Sequence, residues 1–259
     1  AYTEKNVQLL AARGQRAFME YAPMRTFGTV EHQRIYRVLP QGPLADIFVL
    51  DMRSYRGANS TNLQTSESAA TDILGRTQVD WLIEGLKKSR ATWKLIACDM
   101  PIGLDVPDGK NEQGQALWEA VANGDGGVPK GRELEMARLL QGIKKAGIKN
   151  VVWLTADVHY TAAHHYSPER AQFKDFDPFW EFVSGPLNAG GFGPNNADKT
   201  FGLDVVYSKA APHQNSAPSE GFQFFGQLDI DNKSKALTVV LKDLDGASLY
   251  TKTLLPQRA

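Results

Sequence analysis

A chain of 259 residues, 42% hydrophobic and 10% aromatic, has the length and apolar content to bury one large core, which excludes an intrinsically disordered reading. Its 29 basic and 29 acidic residues cancel, so it lacks the electrostatic footprint of a nucleic-acid binder or a basic membrane-docking surface, and small-molecule chemistry is the better default. No apolar run reaches the ~18–20 residues that cross a bilayer, and Ala1-Tyr2-Thr3-Glu4-Lys5 carries no charged-then-apolar export leader.

In chain order, residues 6–21 place Val7, Leu10, Ala11, Phe18 and Tyr21 at helical spacing, and Pro23 stops that helix. The run Ile47-Phe48-Val49-Leu50 predicts a strand ending in Asp51, and Val79, Leu82, Ile83, Leu86 mark a second helix. A second apolar run, Leu95-Ile96-Ala97-Cys98, ends in Asp99. Its Cys98 is the chain's single cysteine, which excludes internal disulfides and reads as a buried small hydrophobe. A loop-rich stretch over residues 101–131 precedes a third helical stripe, Met136, Leu139, Leu140, Ile143. All three stripes read as core faces. The run Val151-Val152-Trp153-Leu154 follows, then a second loop-rich stretch, 160–217. The C-terminal segments around Phe222–Phe225, Leu237–Leu241 and Leu249–Thr251 alternate, separated by the turn signals Asp231-Asn232 and Asp245-Gly246, and predict an antiparallel meander.

Compact apolar runs alternating with helices predict an α/β sheet whose strands are buried on both faces. Ligands of such sheets collect outside the carboxyl ends of the strands, where Asp51, Asp99 and Asp157 all arrive. Asp51 and Asp99 read first as caps of the turns that follow. Asp157-Val158-His159 is different, because an alternating backbone would set a hard oxygen ligand and an imidazole on one face, able to share a cation. Tyr160 is placed to line a phosphate pocket. Arg53 suits either a bidentate phosphate clamp or a pair with a neighbouring carboxylate. His164 and His165 read as one packed and one solvated imidazole. Trp180, Phe182 and Phe192 read as core or loop anchors that leave open a wall for a lipid or aromatic leaving group. The Gly-rich piece over residues 185–194 lacks the Lys and Ser/Thr of a P-loop and the spacing of a dinucleotide fingerprint.

The succession Phe48 to Arg56, Leu74 to Leu82, Ser89 to Lys94 and Leu154 to His159 resembles the alkaline phosphatase D family of metallophosphoesterases. The stretches Asp99 to Leu104, Ala122 to Gly127 and Phe179 to Pro186 are similar to its actinobacterial branch, which includes secreted phosphodiesterases and an iron-dependent phospholipase D. The resemblance implies a four-layer α-β-β-α sandwich with a centre holding iron (Fe3+) and calcium at the strand ends. It also implies hydrolysis of phosphate monoesters and diesters, and export, often through the twin-arginine route. By that resemblance Asp157 and His159 are metal ligands, with Ala156 where the family usually has Gly.

The family's earlier metal motifs have no counterpart here, and a two-metal site needs roughly four to six ligands per cation, whereas this chain offers one convincing pair. Residues 1–259 therefore read as the C-terminal part of one catalytic domain, supplying the C-terminal half of the sandwich. An N-terminal fragment of the same precursor would complete both sheet and site. Two other readings stand beside the phosphatase: a diesterase of phospholipids, and a non-catalytic module if no companion is present.

Overall fold

The computed structural model describes residues 3–23 and 34–257; Ala1 and Tyr2, the first residues of the segment read for an export leader, lie outside them. Chain order begins with α1 (Val7–Tyr21), β1 (Arg37–Gln41), β2 (Ala45–Val49), α2 (Arg76–Lys88) and β3 (Trp93–Ala97). A short hairpin, β4 (Pro107–Lys110) and β5 (Ala116–Trp118), leads to α3 (Arg132–Lys145), β6 (Val151–Thr155) and β7 (Thr161–Tyr166). Then come β8 (Phe179–Val183), β9 (Leu203–Lys209), β10 (Phe224–Ile230), β11 (Leu237–Asp243) and β12 (Ser248–Leu254).

Seven strands form the main sheet in the order β1-β2-β3-β6-β8-β7-β9, with β2, β3, β6 and β8 parallel. The chain steps from β2 to β3 to β6 in one direction, so right-handed crossovers set α2 and α3 on the same face. There Phe48, Ile96 and Trp153 from the strands pack with Val79, Leu82 and Leu86 of α2 and Met136, Leu139 and Leu140 of α3. Each such buried side chain contributes ~1.5–3 kcal/mol.

The opposite face needs a different cover. It comes from the three-stranded sheet β10-β11-β12, whose Leu237, Val239 and Leu241 meet Trp93, Leu95, Val152 and Phe182. The result is an α/β sandwich of a helical layer and two sheets; among the described residues no helix covers the outer face of the small sheet. No helix of the described residues is long and apolar enough to cross a membrane.

Two expectations are corrected. The stretch 160–217 is not all loop: β7, β8 and β9 lie in it and complete the main sheet. Polar residues hid these strands, because Thr161, His164 and Glu181 are fully buried against tertiary partners, His164 bonding through Nδ1 alone among the described residues. Glu181 Oε2 accepts a hydrogen bond from the Tyr166 hydroxyl at 2.8 Å and lies 2.8 Å from His164 Nδ1, while Oε1 accepts from the Ile102 amide at 2.9 Å. Nor is the stripe of α1 a core face. Only Met19 of this helix is buried, while Val7 is 75% and Phe18 36% exposed.

The start of α3 is a second buried polar centre. Gly131 has φ +55°, and a Cβ there would come within 2.1 Å of Asn62 Oδ1, which accepts a hydrogen bond from the Arg132 amide. Only glycine fits both demands. The next residue, Arg132, is 1% exposed and pairs with no carboxylate among the described residues. Its guanidinium instead donates to the carbonyls of Gly57, Ala58, Trp118, Glu119 and Ala120 and to Asn59 Oδ1. Burial pushes its pKa down to about 10.

Glu133 follows, fully buried; its Oε2 accepts from Asn123 Nδ2 at 2.8 Å and from the Lys130 amide, whereas Oε1 has no partner among the described residues. Burial, then the neighbouring charges of Asp198 and Asp125, raise its pKa from 4.5 to about 8. A carboxyl whose folded pKa lies above its unfolded value stabilises the fold fully below the unfolded pKa, and that contribution is lost as pH rises through the folded one. Unfolding free energy is therefore expected to fall by a few kcal/mol between about pH 4.5 and 8. Urea titrations of the wild type and Glu133→Gln at pH 5, 7 and 9 check this, since the amide should remove most of the slope. An unchanged slope in the variant would assign the effect elsewhere.

Candidate metal site

Asp51, Asp99 and Asp157 each lie two residues beyond the end of their parallel strand, β2, β3 and β6 respectively. Their fates differ. Asp51 caps its turn, Oδ1 accepting from the Arg53 and Ser54 amides at 3.0 and 2.9 Å, as its sequence position suggests. Asp99 is not a cap: its Oδ2 lies 2.5 Å from Arg53 Nε, and its Oδ1 is buried without a partner among the described residues. Arg53 also pairs through Nη1 with Glu119 at 2.6 Å and through Nη2 with Asp157 at 3.2 Å. One guanidinium thus gathers three carboxylates from three different loops.

Burial alone would lower the Arg53 pKa; the hydrogen bonds to Glu119 and Asp99 and the charge of Asp157 outweigh it and hold the group above the usual arginine range. The Asp157 pKa is raised as well, which in a carboxyl disfavours the charged form. Its desolvation raises the carboxyl pKa, and the attraction of Arg53 offsets only part of that. Of the two roles open to Arg53 from sequence, the carboxylate pair is the one its geometry displays, with N–H bonds to spare for a further anion.

Alternation does not bring Asp157 and His159 together. β6 ends at Thr155, and both residues take left-handed backbone conformations, φ +64° and +60°, in a turn closed by the Val158 amide on the Ala156 carbonyl at 2.8 Å. Ala156 itself has no positive φ, so the methyl group it carries in place of the family's usual Gly meets no backbone strain. His159 Nδ1 lies 2.6 Å from the Gly190 carbonyl oxygen. A carbonyl only accepts, so Nδ1 carries a proton; in the neutral imidazole the lone pair then sits on Nε2, the orientation a ligating ring needs.

The donor set fits a cation in part. A carboxylate oxygen and a neutral imidazole nitrogen suit iron, and a carboxylate suits calcium. Yet no group of three His, Cys, Asp or Glu side chains able to hold a metal ion occurs among the described residues. Asp157 and His159 could by themselves hold no more than one edge of a coordination sphere.

Other candidates lie away from this edge. Tyr160 is 1% exposed; its hydroxyl accepts from the Asn195 amide at 3.2 Å, its pKa is pushed up to about 12 by burial, and its ring packs where a Cβ on Gly193 would come within 2.4 Å. That position anchors the glycine-rich loop and does not line an open pocket. His164 is buried against Glu181, and His165 packs at a tilt against Trp180, 4.8 Å between ring centres, with its pKa lowered by burial and then by Arg170. Phe182 is in the core between the sheets, and Trp180 stacks on it at 5.8 Å. Burial pushes the Cys98 thiol well above its usual pKa, with Glu181 and Asp99 adding to the shift. Of Trp180, Phe182 and Phe192, it is Phe192 that meets the site, 5.2 Å from the His159 ring and edge-on to it.

Glu119 is a member of the cluster that sequence reasoning misses. It follows β5 in a loop whose carbonyls are tied to Arg132, and nothing in the spacing around it marks it out. Beside Arg53 and Asp99 opens a groove of about 700 Å³ between α1 (Val7, Leu10, Phe18) and the ends of β2 and β3 (Leu50, Cys98).

Fold and site together define an α/β-sandwich protein in which Arg53 gathers Asp99, Glu119 and Asp157 beyond the carboxyl ends of the parallel strands, with His159 held in the turn that carries Asp157. The family model described as PhoD-like phosphatase matches residues 1–241, and the chain belongs to that family. It is 30% identical over 223 residues to alkaline phosphatase D of Bacillus subtilis (strain 168), an alignment covering 79% of this chain and 34% of that protein. A solved structure titled "Structure of PhoD" superposes with a TM-score of 0.57 at 20% identity, over 100% of this chain and 52% of that one, a likeness of fold. The chain spans about a third of the length of the curated relative it matches.

Proposed function

We propose that this chain takes part in metal-dependent hydrolysis of phosphate monoesters and diesters, with Asp157 and His159 as two of the metal ligands. The observation that carries the reading is the pinned His159 ring, whose Nδ1 is committed to the Gly190 carbonyl and so leaves Nε2 as the ring nitrogen for a cation, in the same turn as Asp157. Iron and calcium are the cations assigned, from family resemblance. When bound, they would supply Lewis-acid stabilisation of charge on the phosphoryl oxygens.

The chain's own residues prepare that chemistry. Asp157 brings negative charge and His159 a neutral nitrogen held in one tautomer. Arg53 fixes Asp99, Glu119 and Asp157 relative to one another, and its remaining N–H bonds can meet a phosphate oxygen.

The missing ligands are assigned to the rest of the same domain, whose seat is the groove along α1. Its open apolar stripe adjoins Arg53 and Asp99, and the matched relatives are longer than this chain. The same reading puts the protein at work outside the cytoplasm after export by the twin-arginine route.

Elemental analysis of the purified protein, with initial rates on an aryl phosphate, an aryl phosphodiester and phosphatidylcholine, tests the proposal. Hydrolysis of the aryl esters is expected, falling roughly tenfold or more on chelation and returning with metal. Turnover that ignores the chelator overturns it. A phospholipid-hydrolysing variant of the reading is favoured by the apolar side chains exposed beside the site, Phe192 and Leu187. Negligible phosphatidylcholine hydrolysis rejects that variant.

A further inference from the structure

The loop over residues 185–195 combines a rigid backbone with exposed apolar side chains. It is tied down along its length: the Phe224 amide donates to the Pro186 carbonyl at 2.8 Å, and Gln223 exchanges two hydrogen bonds with the Ala189 backbone. The Gly191 amide donates to the Ser216 carbonyl at 2.9 Å, and the Phe192 amide to the His159 carbonyl at 3.3 Å. The Asn195 amide ends the series on the Tyr160 hydroxyl. On this anchored frame Leu187 is 77% and Phe192 36% exposed.

A flexible loop could tuck such side chains away, whereas an anchored one holds them in water. Phe192 is also joined to the site three times over. Its ring meets the His159 ring at 5.2 Å, its amide is bound to the His159 carbonyl, and the Gly190 carbonyl two residues earlier accepts from His159 Nδ1. The loop that orients the imidazole therefore also presents an aromatic face beside it.

Resting on the phosphoesterase reading, we propose that Phe192 is the specificity-determining wall of a leaving-group subsite, which takes the aromatic or long-chain apolar alcohol portion of a phosphoester. The phosphoryl group lies toward Asp157, His159 and Arg53. The group esterified to it extends over Phe192, and Leu187 widens the apolar surface of the same loop. Trp180 and Phe182, packed against the small sheet, take no part.

The test compares the purified wild type with Phe192→Ala and Phe192→Trp. The ratio of kcat/KM for 1-naphthyl phosphate over glycerol phosphate should fall roughly tenfold in the alanine variant and be retained in the tryptophan variant. Using a ratio removes any loss from a displaced His159, which would lower both substrates alike. In parallel, calorimetric dissociation constants for naphthylphosphonate and methylphosphonate should lose the same preference. A preference unchanged by Phe192→Ala in both measurements overturns the subsite. If the wild type hydrolyses neither ester, the phosphoesterase reading fails, and the ratio of phosphonate affinities still decides whether Phe192 forms an apolar subsite.

Discussion

Arg132→Met is expected to lower unfolding free energy by about 4 kcal/mol, and so the melting temperature by roughly 10 °C. The side chain is 1% exposed and donates to five backbone carbonyls and the Asn59 amide oxygen. Methionine fills similar volume but donates nothing, leaving those carbonyls to find water or to move apart. A domain of ordinary stability has about 5–15 kcal/mol in hand, so the loss is a large fraction of the whole.

Arg132→Lys should recover little, because a single ammonium cannot fan out to two loops on opposite sides as a planar five-donor group does. Activity should suffer beyond the stability effect, since the loop held at Glu119 is the one that brings its carboxylate to Arg53. Thermal melts of both variants check this, with the metal content of the folded fraction alongside. A lysine variant as stable as the wild type would show that charge, not the hydrogen-bond array, holds these loops.

The same contrast explains what could be read from the amino acids. β2, β3 and β6 are written as short apolar runs because both faces of their parallel sheet are covered, and the aspartates beyond them follow from where such strands end. α2 and α3 carry their burial in local spacing. β7 and β8 do not, because His164, Glu181 and Tyr166 are buried by virtue of one another, a fact that exists only once two distant segments are paired. Asp157 and His159 were legible as types of ligand but not in their geometry, which comes from two left-handed residues where alternation would have sufficed. Arg53 carried both of its meanings in the sequence, and only the arrival of Asp99, Glu119 and Asp157 chose between them. Glu119 was silent, since its place depends on a cage that Arg132 builds from the start of α3. The exposed stripe of α1 misled in the other direction, because an amphipathic pattern states that a face wants cover and not where the cover comes from.

Asp157→Asn and His159→Asn should each reduce bound metal at least about tenfold and lower phosphoester hydrolysis by one to several orders of magnitude. Asparagine is the right probe at both positions because both backbones are left-handed, at φ +64° and +60°, where Asn is among the few side chains tolerated with little strain. At position 157 it keeps the shape and an oxygen for Arg53 Nη2 while removing the charge a cation requires. At position 159 it removes the imidazole without forcing the turn, whereas His159→Ala would add a backbone cost of about 1 kcal/mol to the loss of the ligand. The His159→Asn change would also leave the Gly190 carbonyl without its ring N–H donor, so the loop carrying Phe192 should loosen in this variant alone. Hydrogen exchange at residues 190–195 separates that effect from ligand loss: faster exchange in His159→Asn, little change in Asp157→Asn, and metal depleted in both. The melting temperature of Asp157→Asn should stay within a few degrees of wild type, because a half-exposed ion pair contributes little to stability. Metal content unchanged in both variants would remove Asp157 and His159 from the coordination sphere and leave the cluster around Arg53 as a structural one.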